Sequence, residues 1–347
     1  MKQKLFTALI FILVMAVSAS AFSGNERWSF KPESGITSGV AVSENSVFFG
    51  TQAGKCYAVN KNTGRKIWEY ETENSIYGVP SIIGENVVFA AGSGQIVCLS
   101  ISDGSLVWTS GGIEGNGQKV NDGLTDGTSA GDGLVYVSKA DRKVHALNDK
   151  DGRTVWTFTA SDQGVRTAPS YADGFVFVGE YDGIFSILDA KTGKRVNGGG
   201  AGGAVNTPTV KNGNVYFSSW DGSVNAVQLK GIEPLWNVNV HDAISTQPEV
   251  SDGKIIVGTG RGSVVALDEK TGRTLWRFNT KGGSVVAKPI LADGVVFAAA
   301  ESGPMFVLDA RTGKQVGFIG KESGTQGNAA YSDGVIYFGN GALYAYE

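Results

Sequence analysis

Apolar runs of three to five residues recur along the chain, each bounded by a glycine-centred turn. In the stretch 287–317 the runs are Pro289-Ile290-Leu291, Val295-Val296-Phe297-Ala298 and Met305 to Leu308. An Asp293-Gly294 turn and a Ser302-Gly303 turn separate them, and Asp309-Ala310-Arg311-Thr312-Gly313 leads into a fourth run. Four short strands at this turn spacing predict one antiparallel propeller blade. Glycine takes the positive φ of each turn, and the adjacent Asp or Asn caps its own backbone. The runs are apolar without alternation, so the strands are expected to be covered on both faces, as in a sheet sandwiched between two others.

The unit repeats. Its clearest phrase, ALDEKTGRTLW at 266–276, recurs as YAVNKNTGRKIW at 57–68, VCLSISDGSLVW at 97–108 and VHALNDKDGRTVW at 144–156. Two further copies keep the turn but end without the ring, at Asn197 and Gly317. The beats fall at Trp28, Trp68, Trp108, Trp156, Asn197, Trp236, Trp276 and Gly317. A period of about 40 residues marks a repeat architecture. The last unit runs through Tyr331, 335–338 and 343–346 and has no fourth strand, whereas Arg27-Trp28-Ser29-Phe30 is a fourth strand with no others before it. Joining the two closes a ring and removes its open edges. The expected fold is an all-β, eight-bladed propeller of four-stranded blades, one domain over 22–347, closed by the N-terminal strand completing the last blade.

Composition adds a compartment. Lys2 and Lys4, an apolar stretch from Leu5 to Val17 and Ala19-Ser20-Ala21 read as a secretory signal over 1–21. No second long apolar run follows, so no transmembrane segment is expected. Export to the periplasm or the extracellular space, as a soluble and monomeric chain, is the expectation. No cysteine follows the apolar stretch to carry a lipid. The net charge of −3 gives no support for nucleic-acid binding. Cys56 and Cys98 would meet an oxidising compartment. Both stand at apolar columns of equal parity in consecutive units and point the same way round the ring, which predicts two buried free thiols.

The phrase A-x-[DN]-x-x-T-G-x-x-x-W resembles the tryptophan-docking motif of the pyrroloquinoline-quinone (PQQ)-like repeat superfamily, over essentially 28–347. The resemblance implies that Trp28, Trp68, Trp108, Trp156, Trp236 and Trp276 are structural wedges between blades. One branch, the quinoprotein alcohol dehydrogenases, would imply a quinone over the central channel, a bound Ca²⁺, a catalytic Asp and often two adjacent cysteines. This chain has no Cys-Cys pair, and its one notable insertion lies within 110–126. No cofactor and no metal site are therefore expected. The nearer likeness is to the non-catalytic propellers of the BamB type, which implies a protein-binding scaffold in outer-membrane assembly. The missing lipidation cysteine departs from that pattern.

Other motifs lack their context. Gly127-Thr128-Ser129-Ala130-Gly131 matches G-x-S-x-G, but no helix is predicted behind it, so it reads as an inner strand and turn. A strand follows Gly258-Thr259-Gly260-Arg261-Gly262, leaving no helix N-terminus for a phosphate. The acids and glycines of 122–132 place Leu124 where a Ca²⁺ ligand should be. His145 and His241 are the only histidines, too few for a histidine-rich metal site.

What remains is surface. Turns between the second and third strands of a blade emerge on the same rim as the crossings between blades. Trp220, the one tryptophan off the beat, lies in such a turn, with Tyr181 at the matching place in the preceding blade and Arg261 in the following one. Arg166, in a crossing, is expected to face the same rim. Tryptophan, tyrosine and arginine are the residues most enriched at binding hot spots, so Arg166, Tyr181, Trp220 and Arg261 are expected to form a partner-binding patch. The bland alternative is that Trp220 lids the channel or covers a neighbouring turn. The expected function is an exported, non-enzymatic scaffold with a protein partner in the cell envelope. A small PQQ-dependent dehydrogenase, or a glycan-binding module stacking sugars on Trp220 and Tyr181, are the alternatives.

Overall fold

The computed structural model describes residues 22–92, 94–110, 127–139, 141–165, 167–231, 233–320 and 327–347. The predicted signal at 1–21, nearly all of the 110–126 insertion, and Arg166 lie outside them.

With blades numbered in chain order from the sheet over 41–71 to the sheet over 330–346, the first hairpin of blades 3 to 8 turns at Asp132-Gly133, Asp173-Gly174, Asn212-Gly213, Asp252-Gly253, Asp293-Gly294 and Asp333-Gly334, with positive φ at both residues of every pair. That is a type I′ turn, which matches the twist of the flanking strands. The Asp and Asn here share the left-handed conformation. Side-chain capping occurs at other turns, as before the outer strand, where Asp189, Asp268 and Asp309 each accept from the N–H and hydroxyl of a threonine three residues on.

Eight such four-stranded sheets form the molecule. Seven are consecutive in the chain. The eighth orders Glu26–Phe30, Leu343–Tyr346, Val335–Gly339 and Ala330–Ser332, so the N-terminal strand completes the last blade as expected. The closure is clasped by a reciprocal pair of bonds between Asn25 and Glu347, at 3.2 and 3.0 Å, and by an Arg27–Glu347 ion pair.

Coverage on both faces holds for the middle strands and fails at the outer ones. Ser46–Gly50 is buried throughout, whereas Lys66–Glu71 buries only Trp68. Radial sheets diverge with distance from the axis, so neighbours touch near the centre and splay at the perimeter. The core is accordingly a set of seams between blades. Cys56 lies in the seam of blades 1 and 2 and Cys98 in that of blades 2 and 3, both free and fully buried. Burial pushes both thiols up, Cys98 to about 12.

The perimeter gaps are filled by the periodic tryptophans. Each indole N–H donates to a main-chain carbonyl of the next blade, at Lys61, Ile101, Asp149, Ala190, Glu269 and Ala310. Each ring lies so close to the next turn glycine that a Cβ at Gly64, Gly104, Gly152, Gly193, Gly272 or Gly313 would meet it at 2.5–2.7 Å. Beneath each ring stands a small cross-strand partner: Ala58, Cys98, Ala146, Ala226, Ala266 or Ala345. The two blades without a wedge put Ile187 opposite Asn197 and Val307 opposite Gly317. Small residue and large ring are exchanged together.

Candidate functional site

The rim over blades 4 to 6 is built from three four-residue turns: 180–183, 219–222 and 259–262. Each closes on itself, for instance through Gly183 N–H to Glu180 O at 3.3 Å and Gly222 N–H to Ser219 O at 3.0 Å. Each is also strapped by the preceding crossing, through isolated bridges Val165–Glu180, Val205–Ser219 and Ile244–Thr259. The second turn residue donates its N–H to that crossing: Tyr181 to Gly164 O at 3.1 Å, Trp220 to Ala204 O at 3.0 Å and Gly260 to Ala243 O at 2.8 Å. Backbones so held leave the side chains of Tyr181 and Trp220 projecting, 41% and 50% exposed. Rings on a rigid backbone lose little conformational freedom on binding.

These bonds correct the expected alignment. Gly260, not Arg261, is the counterpart of Tyr181 and Trp220; Arg261 stands one residue further, level with Asp182 and Asp221. Adjacent turn residues project in different directions, so Arg261 flanks the aromatic pair without continuing its row. Its side chain is 85% exposed, with Nε 3.9 Å from Asp242 Oδ1. Gln52, Gly92 and Glu301 make the matching bond to the crossing in blades 1, 2 and 7. Among the described residues in this row, aromatic rings occur only on blades 4 and 5.

Three carboxylates at the rim escaped the sequence reading: Glu180 is buried, Asp242 half-buried and Asp221 exposed. Glu180, 1% exposed, accepts from Ser161 N–H and Ser186 Oγ, both at 2.7 Å. Its signal was a charged residue in the turn column where the next two blades carry Ser219 and Thr259. Asp221 accepts from Ser219 Oγ at 2.6 Å, Ser223 N–H at 2.9 Å and Gly202 N–H at 3.0 Å. Burial opposes its charge, yet these bonds outweigh burial and hold the carboxyl below its usual range. Asp242 Oδ2 accepts from Thr259 Oγ1 at 2.6 Å. Acids tied inward in this way brace the turns that display Tyr181 and Trp220.

The remaining motifs are structural. Thr128–Gly131 is an inner strand, and Lys254–Gly258 and Ser263–Asp268 flank the 259–262 turn, with no helix at either motif. His145 Nε2 lies 2.8 Å from Asp141 Oδ2. Among the described residues no three or more His, Cys, Asp or Glu side chains group as metal ligands, and no helix is long and apolar enough to cross a membrane.

Known proteins resemble the chain in two ways. A 174-residue stretch is 26% identical to quinohemoprotein alcohol dehydrogenase ADH-IIG of Pseudomonas putida, covering 46% of this chain and 20% of that protein. A 164-residue stretch is 27% identical to outer membrane protein assembly factor BamB of Yersinia pestis, covering 42% of this chain and 40% of that one. The chain thus spans well under two thirds of these relatives. Among solved structures, BamB from Moraxella catarrhalis superposes with a TM-score of 0.78 at 18% identity, over 93% of this chain and 99% of that one, which establishes the fold. The family model described as "Outer membrane protein assembly factor BamB" matches residues 13–120, 111–196 and 220–346, and the chain belongs to that family.

Proposed function

We propose that this chain is an exported, non-enzymatic propeller that captures a protein partner in the cell envelope through the rim of blades 4 to 6. The observation that carries this reading is the pair of exposed rings, Tyr181 and Trp220, at one structural position on adjacent blades with their backbones held by the crossings. Membership of the BamB family supports a scaffolding role. The test is crosslinking of the tagged protein in its native envelope. Trp220→Ala and Tyr181→Ala should each lower partner capture about tenfold, the scale of a hot-spot ring, while thermal stability stays put. Unchanged capture and unchanged stability in both variants would sink the proposal.

The likeness to quinohemoprotein dehydrogenases favours a second reading, a PQQ-dependent dehydrogenase. Less in the described residues speaks for it: both cysteines are enclosed in seams between blades, and no three or more His, Cys, Asp or Glu side chains group together among the described residues. Reconstitution with PQQ and Ca²⁺ followed by a dye-linked assay separates the readings; turnover would overturn the scaffold assignment.

A further inference from the structure

Glu180 is 1% exposed, and its carboxylate accepts from Ser161 N–H on Oε2 and from Ser186 Oγ on Oε1, both at 2.7 Å. Neither donor carries a charge, and among the described residues Glu180 joins no ion pair. Each carboxylate oxygen keeps a second lone pair. A buried carboxylate held only by neutral donors is costly, and folded proteins pair such a charge or give it a metal ion. Four other blades avoid the cost. Thr51, Ala91, Ser219 and Thr259 stand at the equivalent place, each donating its N–H across the turn as Glu180 does.

The same seam, between blades 3 and 4, holds orphaned hydroxyls. Among the described residues, Ser129 Oγ, Ser161 Oγ and Thr167 Oγ1 are buried and lack a partner. Ser161 and Thr167 belong to the crossing that enters blade 4. Ser129 lies on the inner strand of blade 3, opposite Tyr136, which packs on blade 4. Thr167 is itself 1% exposed. Buried polar groups without a protein partner point to an ion or water held between them.

Other seams show the satisfied form. Ser138 Oγ donates to Thr167 O at 2.9 Å, and Ser218 Oγ donates to Thr246 O at the same distance. There the likeness ends. Thr246 Oγ1 takes the N–H of Gly258 at 2.8 Å, and Ser38 Oγ takes that of Gly50 at 2.6 Å, whereas Thr167 Oγ1 takes none. Thr259, in the place of Glu180, donates to Asp242 Oδ2 at 2.6 Å. The bridges Val165–Glu180 and Ile244–Thr259 set Thr167 and Thr246 at equal steps from their turns. Thr167 therefore stands beside the backbone that enters Glu180, with its hydroxyl unused.

We propose that Glu180 holds a small monovalent cation of the sodium class, with Ser161 Oγ and Thr167 Oγ1 as further ligands. All these ligands are hard oxygens, and Glu180 is the one fully buried acid among the described residues. A single positive charge balances it. Ca²⁺ ordinarily takes about six to eight oxygens and Mg²⁺ a near-ideal octahedron, more than one carboxylate and two hydroxyls supply. The ion ties the crossing over 161–167 to the turn 180–183 that carries Tyr181. The site stands independently of partner capture, because it is read on the free chain.

The test is thermal unfolding of the full chain in sodium chloride against choline chloride at equal concentration. Sodium should raise the midpoint saturably, by about 2 °C at about ten times its dissociation constant. Glu180→Gln, which keeps the shape and removes the charge, should abolish the difference. Ser161→Ala and Thr167→Val should each raise the half-saturating sodium concentration about fivefold. These smaller changes decide the matter if Glu180→Gln fails to fold. Arg166→Ala, which removes a cation of the same crossing from outside the described residues, should keep the response. Equal midpoints in the two salts are the result for a seam filled by water or for a protonated Glu180. That result, a response that survives Glu180→Gln, half-saturation unmoved by both hydroxyl variants, or a response seen only in Arg166→Ala would each overturn the proposal.

Discussion

Trp276 and Gly313 should be strongly coupled, because one is the wedge and the other its seat. Trp276 is 8% exposed and bonds Ala310 O at 2.9 Å. Truncation to alanine should cost about 3–4 kcal/mol, the range for a large buried aromatic. Gly313 sits at φ +69, and a Cβ there would lie 2.6 Å from the Trp276 ring. Gly313→Ala should therefore cost about 1 kcal/mol for the left-handed conformation and about 2 kcal/mol for overpacking. Added together, the two changes predict a loss of about 6–7 kcal/mol. In the double variant the ring is gone and the clash with it, leaving a loss of about 4–5 kcal/mol. A double-mutant cycle by denaturant unfolding should thus report a coupling of about 2 kcal/mol. Additivity within about 0.5 kcal/mol would refute the wedge-and-seat geometry.

Other outcomes follow from the same contacts. Trp28→Ala should cost as much as Trp276→Ala, about 3–4 kcal/mol, because Trp28 performs the same task across the closing seam; a much smaller loss in unfolding free energy would mean the ring is not closed there. Cys56 and Cys98 should resist alkylation in the native chain and both react on unfolding. Folded thiols keep their protons above the ordinary value of 9.0 while the unfolded chain releases its own. Stability should therefore fall as pH rises from 9 towards 12, by up to about 1.4 kcal/mol per pH unit for each thiol. A Cys56→Ala, Cys98→Ala variant should show a shallower alkaline slope in pH-resolved unfolding. Glu180→Ala should cost about 2–3 kcal/mol by stranding Ser161 N–H and Ser186 Oγ, with hydrogen exchange at Ser161 rising first.

The sequence displayed what is periodic. Blade count, closure by the strand around Trp28 and the wedge role of the rings all follow from a repeated phrase, since each copy meets the same neighbours. Features where one blade departs from the rest were harder to see. The exchange of Ala for Ile187 or Val307 was visible as letters, but acquired meaning only once register set those residues beneath Asn197 and Gly317. Arg261 was misplaced by one because its turn keeps the length of its neighbours while Gly260 takes the aromatic position, and only the bond to Ala243 O reveals which residue is which. Glu180 escaped notice because a buried carboxylate shows itself by its donors, which are distant in sequence.

The clasp between the two ends has a mechanical meaning. Glu26 pairs with Tyr346 and Phe30 with Leu343, so the free ends of the two strands leave the same edge of the last blade. Tension applied through them loads the hydrogen-bonded rungs one after another, as a zipper is opened, instead of all at once as in shear. The ring would thus part at one predetermined place under force, shedding Trp28 from its seat on Gly64 while the other blades stay joined.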